Sequence, residues 1–274
     1  MNRDLVVVKV GGEILLDATE REGLGANIRT LVQAGRKVVV LHGGGPQVTS
    51  LQERVGLKEH KVGGRRVTTP ADLVVVQQAI CGEVNVGLTV ALLSAGVRAF
   101  GCHGASGGMV RAHKRPPKPV PGAGPEPVDY GEVGDVTSVD AGLVLGLCEL
   151  GLIPVIATLG VSDDGARAFN INADTTSVHL AAALGADALL MVTKVGGVYR
   201  DLRDPSSLVP EMTAAHAQTL IAQGVIAGGM IHKVEEAITA LDKGLSSIVN
   251  VNANAPEGFL LALQGQGGGT RILP

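Results

Sequence analysis

Residues 37–46 read KVVVLHGGGP, and this stretch decides the fold class. The four consecutive apolar residues from Val38 to Leu41 predict a strand that is buried on both faces. The three glycines and Pro46 that follow predict a tight turn into a helix, because proline is well tolerated in the first helical turn. An apolar strand that turns directly into a helix is the repeating unit of an α/β fold.

The same alternation extends along the chain on both sides of this stretch. Strands are predicted at Leu5–Val10, Lys37–Leu41, Arg98–Gly101, Ile153–Thr158, Ala188–Thr193 and Ser247–Val251. Helices are predicted at Thr19–Ala34, Pro46–Val55, Pro70–Ser94, Asp140–Leu150, Thr175–Leu184, Ala214–Gln223 and Lys233–Lys243. The pattern predicts a mostly parallel sheet with helices on both faces, and ligands bound beyond the carboxyl ends of the strands.

Composition excludes several classes of partner. Aromatic residues make up 2% of the 274 residues, so few rings are available for stacking on bases, and the net charge of −3 attracts no phosphate backbone. We therefore expect no nucleic-acid partner. The most apolar run, from Leu143 to Val161, is interrupted by Glu149 and Pro154, and we expect no membrane partner.

The remaining composition favours a cytoplasmic protein without a metal site. Lys9 interrupts the apolar run at the N-terminus, which does not have the pattern of a secretory signal. The three cysteines, Cys81, Cys102 and Cys148, lie far apart without metal-ligand spacing and are typical of small buried residues in a reducing compartment.

Two glycine loops follow the first two strands. Lys9 and Val10 lead into Gly11 and Gly12, whose N–H groups can face an anion. Gly43, Gly44 and Gly45 lie at the start of a helix, where N–H groups and the helix dipole favour a phosphate. Neither loop has the spacing of the P-loop or of the dinucleotide fingerprint. Lys9 needs a partner if it is buried, because an unpaired buried charge is costly.

Three further polar segments are candidates for the site. Arg66 lies in a loop before the helix from Pro70 and suits bidentate capture of a carboxylate. Asn170, Asn172 and Asp174 alternate, so they share one side if the segment is extended, although Asp174 could instead be an N-cap. In the third segment, Gly228 and Gly229 lead into a helix that carries Lys233 in its first turns.

Two segments interrupt the βα rhythm. Residues 113–127 contain six prolines and two glycines, which indicates either a solvated linker or a flap over a substrate cleft. Residues 161–168 form a polar turn after the fourth predicted strand, and we place a lobe boundary there.

The motifs VKVGG, HGGGP, RVT, NxNAD and GGMxxK occur in this order over nearly the whole chain. Together they resemble the amino acid kinase family, and most closely its acetylglutamate kinases. The resemblance implies a three-layer αβα sandwich with a mostly parallel central sheet. It also implies that residues 1–165 bind an acyl-amino acid and form a homodimer, and that residues 166–274 bind ATP. The implied reaction is ATP-dependent phosphorylation of the side-chain carboxylate of N-acetylglutamate in arginine biosynthesis, with Mg²⁺ carried by the nucleotide.

The resemblance also assigns roles to individual residues. Lys9 would bridge the phosphates, Lys233 would act on the leaving phosphate, and Asp174 would orient the two lysines. The glycines of both loops, Gly11, Gly12, Gly43, Gly44 and Gly45, would cradle the transferred group. The acyl-amino acid would contact Gly44, Arg66, Asn170 and Asn172, and the nucleotide would contact Thr193, Lys194, Gly229 and Lys233.

Two departures from the family pattern leave alternatives open. Lys194 stands where acetylglutamate kinases usually carry an aspartate, and residues 101–108 lack the Lys-Asp pair of a "GxSGKDG"-like run. The substrate could therefore be an aminoadipate derivative of lysine biosynthesis or another N-acyl acidic amino acid. A catalytically weak sensor of nucleotide or amino acid is the alternative outside the enzyme class.

The chain start and the long helix lead to expectations about assembly. Only residues 1–4 precede the first predicted strand, whereas arginine-inhibited family members carry an additional N-terminal helix that links dimers into a hexamer. We therefore expect a dimer that arginine does not inhibit. The helix predicted at Pro70–Ser94 is the candidate dimer interface.

Overall fold

The computed structural model describes residues 2–201, 203–226, 229–242 and 244–274. For residues 2, 3, 229, 230, 232, 233 and 236 the description is limited to the backbone.

Strands form one large sheet and two smaller ones. In chain order the strands are β1 (Asn2–Val10), β2 (Lys37–His42), β3 (Lys61–Val62), β4 (Arg65–Arg66), β5 (Ala99–His103), β6 (Val110–Lys114), β7 (Val133–Val139), β8 (Ile153–Ala157), β9 (Leu159–Val161), β10 (Ala168–Ile171), β11 (Ala186–Val192), β12 (Glu211–Thr213), β13 (Ile248–Val251) and β14 (Gly269–Leu273). The large sheet has the order β12-β14-β13-β11-β1-β2-β8-β5, and its pairs are parallel except β13 with β14. All six predicted strands are confirmed in it.

Helices cover both faces of the large sheet. In chain order they are α1 (Ala18–Gln33), α2 (Gly45–Arg54), α3 (Pro70–Val76), α4 (Asn85–Ser94), α5 (Ala141–Glu149), α6 (Ala173–Leu184), α7 (Ala214–Ala222), α8 (Gly229–Leu241) and α9 (Gly258–Leu263). A π-helical segment, Gln77–Val84, joins α3 to α4. Helix α8 begins four residues before the predicted start at Lys233, and Lys243 at its predicted end lies outside the described residues.

The two faces of β1 separate the hydrophobic core into two layers. Leu5 and Val7 belong to one buried cluster, and Val6, Val8 and Val10 belong to the other. Side chains of a strand alternate between the faces of its sheet, so both faces of β1 are covered. This is the three-layer αβα sandwich that the sequence predicts.

The smaller sheets were not predicted. Strands β6, β7, β9 and β10 form a closed four-stranded sheet, and β3 and β4 form a hairpin. Most of these strands are only two to five residues long, which is too short for a reliable period-two pattern. The predicted lobe boundary at residues 161–168 is the turn of the β9–β10 hairpin, whose strands pair antiparallel.

The proline-rich segment begins inside a strand. His113 and Lys114 complete β6, and an isolated bridge pairs Lys118 with Val128 farther along. Tyr130 then donates its hydroxyl to the carbonyl of Val62 in β3 at 3.2 Å. Within the segment, Val120 lies close to Gly63 in the turn of the β3–β4 hairpin, so the segment lies against this hairpin, although most of it is exposed.

The segment Pro70–Ser94 is long and apolar enough, by length and composition, to cross a membrane, and 39% of its most apolar window is buried. A core helix of a soluble protein passes the same test. Asn85, in the middle of the segment, donates hydrogen bonds to the carbonyls of Cys102 in β5 and Val155 in β8. These bonds fix the helix against the sheet.

Candidate functional site

Two cavities lie side by side at the carboxyl ends of β1 and β2. The larger has a volume of about 880 Å³ and the smaller about 220 Å³. Gly64, Arg65 and Asn172 line both of them. This is the edge of a parallel sheet at which the loops turn into helices, as the sequence predicts.

The larger cavity contains the predicted lysine–aspartate pair. Lys9 Nζ lies 2.7 Å from Asp174 Oδ1, and the Lys9 side chain is only 12% exposed. Lys9 lies on β1 between Leu41 of β2 and Met191 of β11. The paired strands on both sides therefore hold the backbone of Lys9 in place. Asp174 supplies the partner that a buried lysine requires.

Gln47 joins the two glycine loops, and sequence reasoning missed it. Its Nε2 donates to the carbonyl of Gly12 at 2.8 Å, which ties the loop after β1 to the first turn of α2. A Cβ on Gly12 would lie 2.8 Å from Gln47 Oε1 and 2.9 Å from Gly44 Cα. Only glycine allows this close approach. The signal available in the sequence was a glutamine directly after a predicted glycine–proline helix start.

The glycine loops present backbone donors to both cavities. Gly11 and Gly12 line the larger cavity, whereas Gly43, Gly44 and Gly45 line the smaller one. Gly44 is the N-cap of α2, and Gly45 is its first residue. Among the described residues, the N–H groups of Gly11, Gly12 and Gly44 have no hydrogen-bond acceptor, so they are available to an anion.

His42 is buried beside the second glycine loop and is hydrogen-bonded to it. It is fully buried, and Asn85 Nδ2 lies 2.9 Å from its Nε2. The Asn85 NH₂ group only donates and shares its two protons among Nε2 and the carbonyls of Cys102 and Val155, so Nε2 is an acceptor and Nδ1 carries the proton. Nδ1 donates in turn to the carbonyl of Gly43 at 2.9 Å. Burial lowers the pKa of His42 to about 4, so the ring is neutral near pH 7.

The smaller cavity is strongly cationic. No aspartate or glutamate is among the described residues that line it, and its charged lining consists of Lys61, Arg65, Arg66 and Arg115. Four cations in a space of about 220 Å³ predict an anionic ligand with more than one negative group.

Arg66 is held in place by a network on one side of the smaller cavity. Its guanidinium contacts Glu59 Oε1 at 2.7 Å and the hydroxyl of Thr49 at 2.9 Å, and it also donates to the side chain of Gln52. Burial alone would raise the pKa of Glu59, but hydrogen bonds from Lys61 and Thr49 and the charge of Arg66 outweigh burial and lower it. Glu59 is therefore an anion that fixes Arg66 at the cavity wall.

Arg115 is a site residue that the sequence did not single out. It lies at the base of the proline-rich segment, is buried, and contacts Asp135 Oδ1 at 2.5 Å. Its guanidinium also lies 5.7 Å from the ring centroid of Tyr130, within the range of a cation–π contact. The only signal in the sequence was the basic run at residues 113–115, which resembles an ordinary solvated loop.

The segment Asn170–Asp174 divides between the two cavities. Asn170 lines the smaller cavity and donates to the Thr68 hydroxyl at 3.0 Å, whereas Asp174 lines the larger cavity and Asn172 lines both. The segment is extended only as far as Asn172, which is itself the N-cap of α6. The alternative in which Asp174 is the N-cap was therefore wrong.

The predicted nucleotide-binding residues have different outcomes. Thr193 is buried and lines the larger cavity, and its hydroxyl accepts from the N–H of Gly196 at 3.0 Å. Lys194 is exposed and is absent from the described lining of that cavity. Gly229 begins α8 and Lys233 lies in its second turn, but their side-chain environment lies outside the described residues, as does Gly228 entirely.

The departure at residues 101–108 lies away from both cavities. These residues complete β5 and form a short 3₁₀ turn, and none of them is in the described lining of either cavity. Among the residues that the structure describes, no group of three or more His, Cys, Asp or Glu side chains could hold a metal ion.

The two cavities share Gly64, Arg65 and Asn172, and each of them is lined by one of the two glycine loops. The model of the amino acid kinase family matches residues 4–250. The chain belongs to this family.

Relatives of the chain extend over its whole length. The acetylglutamate kinase of Anaeromyxobacter dehalogenans strain 2CP-C is 45% identical over 268 residues, which cover 98% of each chain. The acetylglutamate kinase of Sorangium cellulosum is 46% identical over 243 residues, covering 89% of this chain and 85% of its own. Among solved structures, the smu.665 protein of Streptococcus mutans superimposes with a TM-score of 0.74 at 28% identity and covers 99% of both chains.

We expect His42 to make the stability of the fold depend on pH. Its pKa is about 4 in the folded state and 6.5 in its ordinary state, so between these values the unfolded chain binds more protons. The free energy of unfolding should therefore fall as the pH is lowered from 6.5 to 4. His42→Gln removes the titrating group, and the melting temperature of this variant should fall less steeply over that range than that of the wild type. Exposed His60→Gln is the matched control, and equal slopes for the wild type and His42→Gln would contradict the expectation.

Proposed function

We propose that this chain catalyses the ATP-dependent phosphorylation of the side-chain carboxylate of N-acetylglutamate, as a step in arginine biosynthesis. The observation that carries the proposal is the cationic smaller cavity, which opens beside a larger cavity that contains Lys9 and a glycine loop. The names of the full-length relatives support the same reaction.

The smaller cavity suits the acceptor. N-acetylglutamate carries two carboxylates, one that is phosphorylated and one that must be held. Arg66 and Arg115 are preorganised by Glu59 and Asp135, so they can hold a carboxylate with little loss of side-chain entropy. Asn170 and Asn172 add amide groups that suit the remaining polar groups of the molecule.

The larger cavity suits ATP, and Mg²⁺ would be carried on the phosphates of the nucleotide. The ion would neutralise phosphate charge and would need no dedicated protein ligand set. We propose that Lys9 bridges the phosphates, that Asp174 orients Lys9, and that Lys233 acts on the leaving phosphate. Gly11, Gly12, Gly43, Gly44 and Gly45 would cradle the transferred group through their backbone N–H groups.

The proposed mechanism needs no general base. A carboxylate is already ionised and nucleophilic at neutral pH, so the protein contributes positioning and charge neutralisation. An oxygen of the acceptor carboxylate attacks the γ-phosphorus, and the bond from that phosphorus to the β,γ-bridging oxygen breaks. The glycine loops and Lys9 lie where negative charge would move between the two cavities.

The lobes, the compartment and the alternatives are part of the same proposal. We assign residues 1–165 to acceptor binding and dimerisation and residues 166–274 to ATP binding, with Asn170 and Asn172 reaching back to the acceptor.

The free cysteines suit the reducing cytoplasm. An aminoadipate derivative is the alternative acceptor, because it also carries two carboxylates that the cations of the smaller cavity could hold.

We expect ADP release with ATP, Mg²⁺ and N-acetylglutamate, and much slower release with N-acetylaspartate or aminoadipate. Lys9→Ala should lower kcat by at least about 100-fold, because it removes the charge that neutralises the transferred group and leaves Asp174 unpaired. A coupled ADP-release assay measures both, with Lys37→Ala, an exposed lysine at the start of β2, as the matched control. Turnover on aminoadipate alone would show that aminoadipate, and not N-acetylglutamate, is the acceptor. ATP binding without turnover on any acid would favour a sensor, and Lys194→Asp would be the next variant.

We further propose that the chain forms a homodimer through α4. Val86, Val90 and Leu93 are each more than 50% exposed, and their spacing places them on one face of the helix. Phe100, also exposed, lies on β5, which is one of the two edge strands of the large sheet. A contiguous apolar face beside an open sheet edge is typical of a surface that is covered in the assembled protein.

Val90→Glu should convert the dimer to a monomer, because burying an unpaired carboxylate at an apolar interface is costly. Sedimentation velocity or light scattering measures the mass. Val195→Glu is the matched control, since Val195 is 41% exposed after β11, which lies four strands away from β5, and should leave the dimer intact. A monomeric wild type, or a Val90→Glu variant that is still dimeric, would contradict the proposal.

A further inference from the structure

Arg65 occupies the boundary between the two cavities. It is the one charged residue in the described lining of both of them, whereas Lys9 lines only the larger and Arg66 only the smaller. Together with Gly64 and Asn172, this residue marks the place where the two cavities adjoin.

The guanidinium of Arg65 is available to a ligand. The guanidinium of the neighbouring Arg66 is already bonded to Glu59, Thr49 and Gln52. Arg65, by contrast, makes no side-chain hydrogen bond or ion pair with any residue that the structure describes, although it is half-buried. A partly buried arginine without a partner is costly unless a ligand supplies the negative charge.

The backbone that carries Arg65 is well anchored. Arg65 pairs with Val62 in the β3–β4 hairpin, whose two-residue turn consists of Gly63 and Gly64 with φ of 56° and 74°. Two consecutive residues with positive φ form the kind of tight turn that fits the twist of a hairpin. Tyr130 bonds the carbonyl of Val62 at 3.2 Å and fixes the hairpin beside the cavities.

We propose that Arg65 is a catalytic residue that contacts the phosphoryl group during its transfer. This inference rests on the function proposed above. In the reaction, ATP⁴⁻ and the acceptor carboxylate, with five negative charges together, become ADP³⁻ and an acyl phosphate with two. A new bond forms from the carboxylate oxygen to the γ-phosphorus, the electron pair of the broken bond stays on ADP, and no proton is moved.

The position of Arg65 determines whether its charge stabilises the transition state or a bound substrate. Charge that shifts between the cavities in the transition state is closest to a cation that borders both of them. A group placed in this way stabilises the transition state more than either bound substrate, so its loss lowers kcat and changes KM little. A contact with the stationary carboxylate of the acceptor would instead raise the KM for the acceptor alone.

Steady-state kinetics of Arg65→Gln and Arg65→Lys test the proposal, with Arg54→Gln at an exposed position on α2 as the matched control. We expect Arg65→Gln to lower kcat at least about 10-fold with both KM values within about 3-fold of the wild type. Arg65→Lys should recover part of that loss, and Arg54→Gln should match the wild type. Equal melting temperatures establish that each variant is folded.

A binding measurement separates charge stabilisation from a structural role. ADP, Mg²⁺ and aluminium fluoride with the acceptor mimic the phosphoryl group in transit, and Arg65→Gln should weaken this complex at least about 10-fold while ADP alone binds normally. An unchanged kcat would overturn the inference and leave the proposed function intact. A raised KM for the acceptor, with unchanged affinity for the fluoride complex, would do the same. Absence of turnover by the wild type would contradict the proposed function and the inference together.

Discussion

Lys9 places a positive charge near the end of β1, directly after the apolar run from Leu5 to Val8, at the centre of the large sheet. The strand pairs with β2 on one side and with β11 on the other, so it joins the two halves of the sheet. The charge is tolerated because Asp174, in the first turn of α6, lies 2.7 Å away. This pair connects β1 to a helix that lies more than 160 residues later in the chain, and it fixes where the glycine loops and the second half of the sheet meet.

The electrostatics of the site differ from those of the whole chain. The net charge is −3, yet the smaller cavity gathers four cations and no described carboxylate. Among the described residues, only two acids pair with these cations: Glu59 contacts Lys61 and Arg66, and Asp135 contacts Arg115, and neither acid is in the described cavity lining. The result is a positive surface toward the ligand and paired charges toward the protein. A helix N-terminus at Gly45 adds partial positive charge at the same place.

The fold was predictable because its main sheet is built from strands with continuous apolar runs. The stretch from Val38 to Leu41 and the glycines after it specify a strand, a turn and a helix without tertiary information. The β3–β4 hairpin and the closed four-stranded sheet were not predictable, because their short strands are stabilised by contacts between distant segments, such as Tyr130 with Val62.

The same distinction applies to the site. Lys9, Asp174 and the glycine loops carry local signals and come together as predicted, whereas Gln47 and Arg115 acquire their positions only through tertiary packing. Arg65 and Arg66 are the same residue type and are adjacent in β4, and only the geometry shows that the two have different surroundings. Lys194, which the resemblance assigns to the nucleotide, is exposed and is absent from the described lining of the larger cavity.

The central claim is that the phosphoryl group passes directly between two molecules held in adjoining cavities. The most direct test is the stereochemical course of the reaction, measured with ATP made chiral at the γ-phosphorus by oxygen isotopes. A single in-line displacement predicts inversion of configuration at phosphorus in the acyl phosphate. Retention would contradict the account, because it requires two displacements and therefore a phosphorylated residue of the protein.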